Sequence, residues 1–344
     1  MTGIRWATLV VMALAVSAVL PGQAKRRKSL LVLSKADKTL SIVDPATLKV
    51  IAKMPSGPDP HEVVASADGH YAYISNYGFG AYNTITTVDL VEHRTLSAAD
   101  LGPLRGPHGL AFSGGKVYFT AESAKAIGRY DPASGKVDWV LGTGQNRTHM
   151  LVVSTDEQHI VTSNVSSATV TIIERAAARG PSGTPSSPAS GAMQGDWEET
   201  VVAVGRGAEG FDVSPDGREI WCANAADGTI SMIDKQAKRV IRTLEANVTG
   251  ANRLKFTPDG SRVFVTTLRG PEVVVLDVPS RSEVKRIKVG RGAAGIQMEP
   301  DGSRVYIACT PDDYVVVIDL KTLTETSRID AGKQPDGMAW AERQ

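Results

Sequence analysis

The chain carries six histidines, and three of them share one register. His61, His108 and His149 each stand five residues before a recurring anchor, in PHEVVAS, PHGLAFS and THMLVVS. The same position holds Glu209, Asn252, Ala294 and Asp336 in the other copies of the pattern. Neutral imidazole and carboxylate are good ligands for zinc, iron, copper or manganese. His61, His108, His149 and Glu209 are therefore a candidate centre for a divalent transition metal. An open position on such a metal would activate water, with Glu209 as ligand or general base. The plainer alternative is structural. A repeat copies its residues, and each His would then wedge between neighbouring units and bond a backbone carbonyl. His70, His93 and His159 fall elsewhere in the pattern and read as surface or turn residues.

A second set of polar residues ends a neighbouring apolar segment: Lys35, Asn76, Ala121, Asn164, Asn224, Thr267 and Cys309. Its Asn residues either cap turns or add hydrogen-bonding groups to the same mouth. Tyr77 and Glu122 follow directly in their copies. The segment Tyr77-Gly-Phe-Gly-Ala-Tyr82 reads as a glycine-rich loop, or as an aromatic rim beside His61 and His108. The candidate ligand-binding set is Asn76, Tyr77, Asn164, Asn224, Asn252 and Asp336, and the candidate catalytic carboxylates are Glu209 and Glu122. The sequence holds no G-x-S-x-G, no P-loop and no haem attachment or nucleotide motif.

These side chains need a scaffold that repeats. SPDG from Ser214, TPDG from Thr257 and EPDG from Glu299 anchor it, with weaker copies SADG from Ser66, SGG from Ser113 and STDE from Ser154. The chain ends with AER from Ala341 in the same register. The anchors are spaced by 47, 41, 60, 43, 42 and 42 residues. A period near 42 fits a four-stranded propeller blade. Each unit holds four strand-like runs, for example GFDVS, REIWCAN, TISMID and RVIRTLEA. The Asp closing the third run recurs at Asp44, Asp89, Asp131, Asp234, Asp277 and Asp319, where it starts a turn. The chain opens at Leu30 on a second-type strand and closes at Gly337 with a first-type strand. The expected fold is thus an all-β, seven-bladed β-propeller of four-stranded blades, with the C-terminal strand completing the N-terminal blade and removing both free edges.

The segments GREIWCANAADGTISMIDKQAKRVIRTL and GSRVYIACTPDDYVVVIDLKTLTETSRIDAG resemble the bacterial YVTN β-propeller repeat family. The resemblance spans about residues 29 to 344 and implies the propeller fold and a binding or surface role. The unit KVYFTAESAKAIGRYD is similar to repeats of streptogramin lyase propellers, which use a His and a magnesium-bound carboxylate. That likeness implies Glu122 as the matching acid, shifted by one residue, and a metal-dependent lyase or hydrolase as the alternative to a binding or scaffold protein.

Composition bounds the partners. The net charge of +1 leaves no electrostatic footprint for nucleic acid. Arg5, the apolar run Trp6 to Leu20 and Pro21-Gly22-Gln23-Ala24 read as a secretory signal over 1–24, ahead of a propeller over 29–344. The expectation is a periplasmic or secreted monomer with no stable membrane span, binding a protein or small molecule at the propeller face. Lys25-Arg26-Arg27-Lys28 resists translocation, so a retained N-terminal anchor is the alternative. Cys222 and Cys309 sit in apolar runs of different units and are expected as free, buried thiols. The Gly-, Ser-, Pro- and Ala-rich stretch 176–197 accounts for the 60-residue spacing and is expected as a flexible loop between a third and a fourth strand.

Overall fold

The computed structural model describes residues 27–176 and 197–343. They form seven antiparallel sheets of four strands each. The strands of one blade face another blade on both sides, so their middle runs are apolar on both faces. Arg304–Cys309 and Tyr314–Asp319, for instance, bury Val305, Ile307, Val315, Val316, Val317 and Ile318 completely. Each such side chain contributes about 1.5–3 kcal/mol. The outermost strands carry exposed and half-buried residues, which alternate in Lys136–Gly142. The ring closes as expected: Pro335–Arg343 joins Arg27–Ser34, with Leu30 opposite Trp340 and Leu31 opposite Ala339.

The turn chemistry follows the repeat. Asp44 accepts from the Ala46 amide at 2.9 Å, Asp89 from Val91 and Glu92, and Asp319 from Lys321 and Thr322. In the anchors, Ser214 donates to Asp216 at 2.6 Å and Thr257 to Asp259 at 2.6 Å. Cys222 and Cys309 are free and buried, and burial pushes the Cys309 thiol up to about 12.

The 176–197 stretch joins the strands Thr169–Arg175 and Trp197–Ala203, the third and fourth of their blade. Its residues 177–196 lie outside the described residues, as does the expected signal segment 1–24. Among the described residues no helix is long and apolar enough to cross a membrane.

The seven innermost strands are Pro335–Arg343, Pro60–Ala65, Pro107–Ser113, Thr148–Val153, Ala208–Val213, Ala251–Phe256 and Ala293–Met298. Each slips register against its partner near its start. Pro60 opposes Asn76 but Val63 opposes Ile74, so His61 and Glu62 together face one residue, Ser75. The same shift recurs between Pro107 and Leu110, Thr148 and Leu151, Ala208 and Phe211, Ala251 and Leu254, and Ala293 and Ile296. A bulge breaks strict alternation and re-aims a side chain. In this fold it turns the second residue of each inner strand toward the channel.

Candidate functional site

The bulge needs its amides satisfied, and second-strand hydroxyls do this. Ser75 accepts from the Glu62 amide at 3.1 Å and donates to the His108 carbonyl of the next blade at 2.8 Å. Thr120 accepts from Gly109 at 2.9 Å and donates to the His149 carbonyl at 2.7 Å. Thr266 links Arg253 to Ala294 in the same way, and Ser163 donates to the Glu209 carbonyl. Four of the seven blades are thus stitched to the next.

As a result Asp336, His61, His108, His149, Glu209, Asn252 and Ala294 all line one cavity of ≈ 350 Å³ at a channel mouth. Its floor is an ion pair across the channel. Arg253, 8% exposed, bonds Glu62 of a distant blade and donates to Asn252 Oδ1 at 3.2 Å. A second cavity, lined by Glu62, Arg253, Lys255 and Trp340 among others, lies beyond it.

The histidine sector is asymmetric. His149 lies against His108, with ring centroids 3.7 Å apart and planes tilted by 34°, and His108 stands 5.1 Å from His61. His149 Nδ1 contacts Glu122, and its Nε2 lies 2.9 Å from Glu209 Oε1, off the ideal hydrogen-bond direction. Burial opposes a charge on His149, but Glu209 and Glu122 outweigh it and raise the His149 pKa. Burial would likewise raise Glu209. The His149 charge and hydrogen bond reverse this, Arg147 and Arg253 add to them, and Glu209 falls to about 2. Burial, reinforced by the charges of His149, His61, Arg253 and Arg147, holds His108 well below the usual imidazole value. Burial and Lys35 lower His61 against Asp336 and Asp59. The surroundings thus favour the charged form of His149 and the neutral form of His108.

The aromatic rim forms. Tyr77 lies 4.7 Å from His61 and 4.9 Å from His108, and its hydroxyl donates to Glu122 at 2.5 Å. Phe79 stands at the lip, 81% exposed.

The second polar set needs correcting. Asn76, Asn164 and Asn224 are fully buried and do not line the cavity. Each amide spans two hydroxyls on the third strand of its own blade: Thr84 and Thr86, Thr169 and Thr171, Thr229 and Ser231. They brace the blade. Lys35 is also one position out of the expected register. Ser34 opposes Thr39 as Asn76 opposes Thr84, so Lys35 corresponds to Tyr77 and Glu122. In that place it reaches the cavity, 2.9 Å from His61 Nε2 and 3.3 Å from Asp336. Sequence reasoning missed Arg147 and Arg253. Arg147 had a signal: it occupies a position, two before the ring residue, that is glycine in four blades.

Among the described residues no three His, Cys, Asp or Glu side chains are arranged to hold a metal ion. The His108 and His149 rings lie close together with their planes tilted by 34°, and both His149 nitrogens face carboxylates.

The chain is a seven-bladed β-propeller. A family model described as YNCE-like beta-propeller matches residues 192–303. A search of the curated proteins finds no match. Among solved structures, the chain is similar to a protein of unknown function from Desulfotomaculum acetoxidans, at 13% identity and a TM-score of 0.71, covering 92% of this chain and 99% of that one. It is also similar to hydrazine synthase of Kuenenia stuttgartiensis, at 18% identity and a TM-score of 0.68, covering 85% and 92%. A dihydro-haem d1 dehydrogenase matches at 16% identity and a TM-score of 0.62, covering 90% and 74%. At these identities the likeness is one of fold, and fold does not carry function.

Proposed function

We propose that this propeller binds a small polar molecule in the mouth cavity. One observation carries the reading: all seven ring positions line a single cavity, and there the repeat gives up its symmetry. A purely structural ring would keep one residue type, whereas this one varies from Ala294 to His108 to Glu209. The cavity volume lies at the lower end of the range for small-molecule sites. The cavity wall brings His61, His108, His149, Lys35 and Arg147 together, so a guest meets several hydrogen-bonding groups at once.

The expected result is that small polar metabolites raise the unfolding temperature of the wild type, and that His108→Ala abolishes the shift. A ligand that stabilises both forms equally would place binding elsewhere.

A second reading keeps the metal-dependent hydrolase or lyase on His61, His108, His149 and Glu209. Its support is the adjacency of three histidines in neighbouring blades. It requires a His149 nitrogen to give up its carboxylate contact and turn to the metal. Elemental analysis of protein purified without a metal-binding tag decides it: stoichiometric metal, lost in the triple His→Ala variant, replaces the first reading with this one.

We further infer that the propeller is of the YVTN-repeat type and is exported, on the strength of Trp6 to Leu20 and the small residues ending at Ala24. N-terminal sequencing of the protein from fractionated cells should begin after Ala24 in the exported fraction. An intact N-terminus at Met1 or Thr2 in the membrane fraction would establish the anchor instead.

A further inference from the structure

The residue two places before each ring position has a left-handed backbone in all seven blades. Four blades place glycine there: Gly106, Gly207, Gly250 and Gly292, at φ of 69, 76, 78 and 57°. This is the low-strain solution, because only glycine enters that region freely. The other three blades use Asp59, Arg147 and Gln334, at φ of 47, 58 and 54°. Asp tolerates the conformation, and Asp59 is put to work there, accepting from the Gly78 amide at 2.8 Å to hold the Tyr77–Tyr82 loop. Arg147 has no such local excuse. Its backbone is the repeat's own, but an arginine in place of glycine holds it at a cost of about 1–2 kcal/mol.

That arginine places a guanidinium over the mouth. Arg147 lies 3.5 Å from Glu122 and 3.8 Å from Glu209, contacts longer than hydrogen bonds, and it neighbours the Tyr77 hydroxyl. Its side chain remains 39% exposed. Donors are therefore left over, and they border the cavity that His108 also lines. The cavity wall presents Lys35, Arg147, Arg253 and His149 against Glu209 and Asp336. Glu62, Glu122 and Asp59 stand behind this wall and balance it. An anion would thus be held by directed, charge-assisted hydrogen bonds and not by a net field. At the lip, Phe79 takes a left-handed backbone of its own, φ 50°, and exposes its ring beside the opening, 5.2 Å from Tyr77. An exposed aromatic at a cavity rim suits an apolar or planar body.

We propose that the mouth cavity takes a small organic anion, its carboxylate or phosphate held by Arg147 and His108 and its apolar body resting on Phe79. The proposal rests on the small-molecule reading above and names its ligand class.

The test uses benzoate, phenyl phosphate and the uncharged benzamide, titrated by calorimetry into the wild type and Arg147→Gly. Glycine is what four other blades carry at this position, so the variant should unfold at the wild-type temperature or above it. A charge-assisted hydrogen bond is worth about 1.5–3 kcal/mol, so its loss should weaken anion binding roughly tenfold or more. The wild type should bind benzoate or phenyl phosphate at least about tenfold more tightly than benzamide. Arg147→Gly should lose that preference and leave benzamide unchanged. The stronger of the two anions identifies the head group. Anions that bind no better than benzamide, equal anion affinity in both proteins, or no binding of any probe at millimolar concentration overturns the anion proposal. Should benzamide alone bind, and His108→Ala abolish it, the small-molecule reading stands while the anion inference falls.

Discussion

Glu62→Ala should destabilise the propeller by about 3–5 kcal/mol, the usual cost of removing one partner from a buried ion pair. Arg253 is the group left behind. It sits in the cavity floor, nearly excluded from solvent, and Glu62 reaches it from across the channel. Its other side-chain contacts are to Asn252 alone, through the carbonyl at 3.3 Å and the amide oxygen at 3.2 Å. Neither is a counter-charge. Burial works against the Arg253 charge, and Glu62, then Asp336 and Glu209, sustain it. The two remaining carboxylates already serve Lys35 and His149, so they soften the loss without cancelling it. Urea unfolding of Glu62→Ala, Arg253→Met and the double variant Glu62→Leu/Arg253→Met measures this directly. The double variant should recover most of the stability, because a buried pair is replaceable by apolar residues of similar volume. A Glu62→Ala midpoint matching the wild type, or a double variant no better than the single ones, would show that the floor is not held by this pair.

Much of this molecule is legible as a pattern. The 42-residue period, the Asp-initiated turns at Asp44 and Asp319, and the offset between Leu30 and Gly337 lead to seven blades and to the closure observed. The ring at His61, His108 and His149 is legible for the same reason: a repeat position is a place in space. What the pattern conceals is the bulge. Strict alternation puts His61 on the same face as Val63, but the extra residue per inner strand breaks that parity. The hints were the hydroxyls at Ser75, Thr120, Ser163 and Thr266, which pair with the bulge or the next blade's carbonyl. The Asn residues misled because a polar side chain at a strand end usually means a turn or a mouth. Here the third-strand hydroxyls at Thr86, Thr171 and Ser231 draw Asn76, Asn164 and Asn224 into the sheet. Arg253 and Glu62 are 191 residues apart, and no local pattern announces that they meet.

Gly295→Ala should be the most damaging single methyl addition on the channel wall, at about 3 kcal/mol or more, the upper end of overpacking costs. Gly295 follows the ring residue Ala294, and the next blade's ring residue presses its backbone against it. A Cβ there would lie 1.9 Å from the Asp336 carbonyl oxygen. The same contact recurs at Gly337, where a Cβ would meet the His61 carbonyl at 2.2 Å, and more loosely at Gly109, 2.7 Å from the His149 carbonyl. The obstacle is backbone and not the end of a side chain, so nothing can swing away to relieve it. The order of damage should therefore be Gly295→Ala, then Gly337→Ala, then Gly109→Ala. Gly142→Ala is the control: it has open space around it and no left-handed backbone, and should stay within about 0.5 kcal/mol of the wild type. Equal midpoints for Gly295→Ala and Gly142→Ala would rule out the close approach. The consequence reaches the site as well as the stability. Pushing the Asp336 backbone outward draws its carboxylate away from Lys35, now 3.3 Å distant, and frees Lys35 from its place against His61. A Gly295→Ala protein that still folds should thus lose ligand binding, because the glycines that let the inner strands crowd together also hold the ring residues around one cavity.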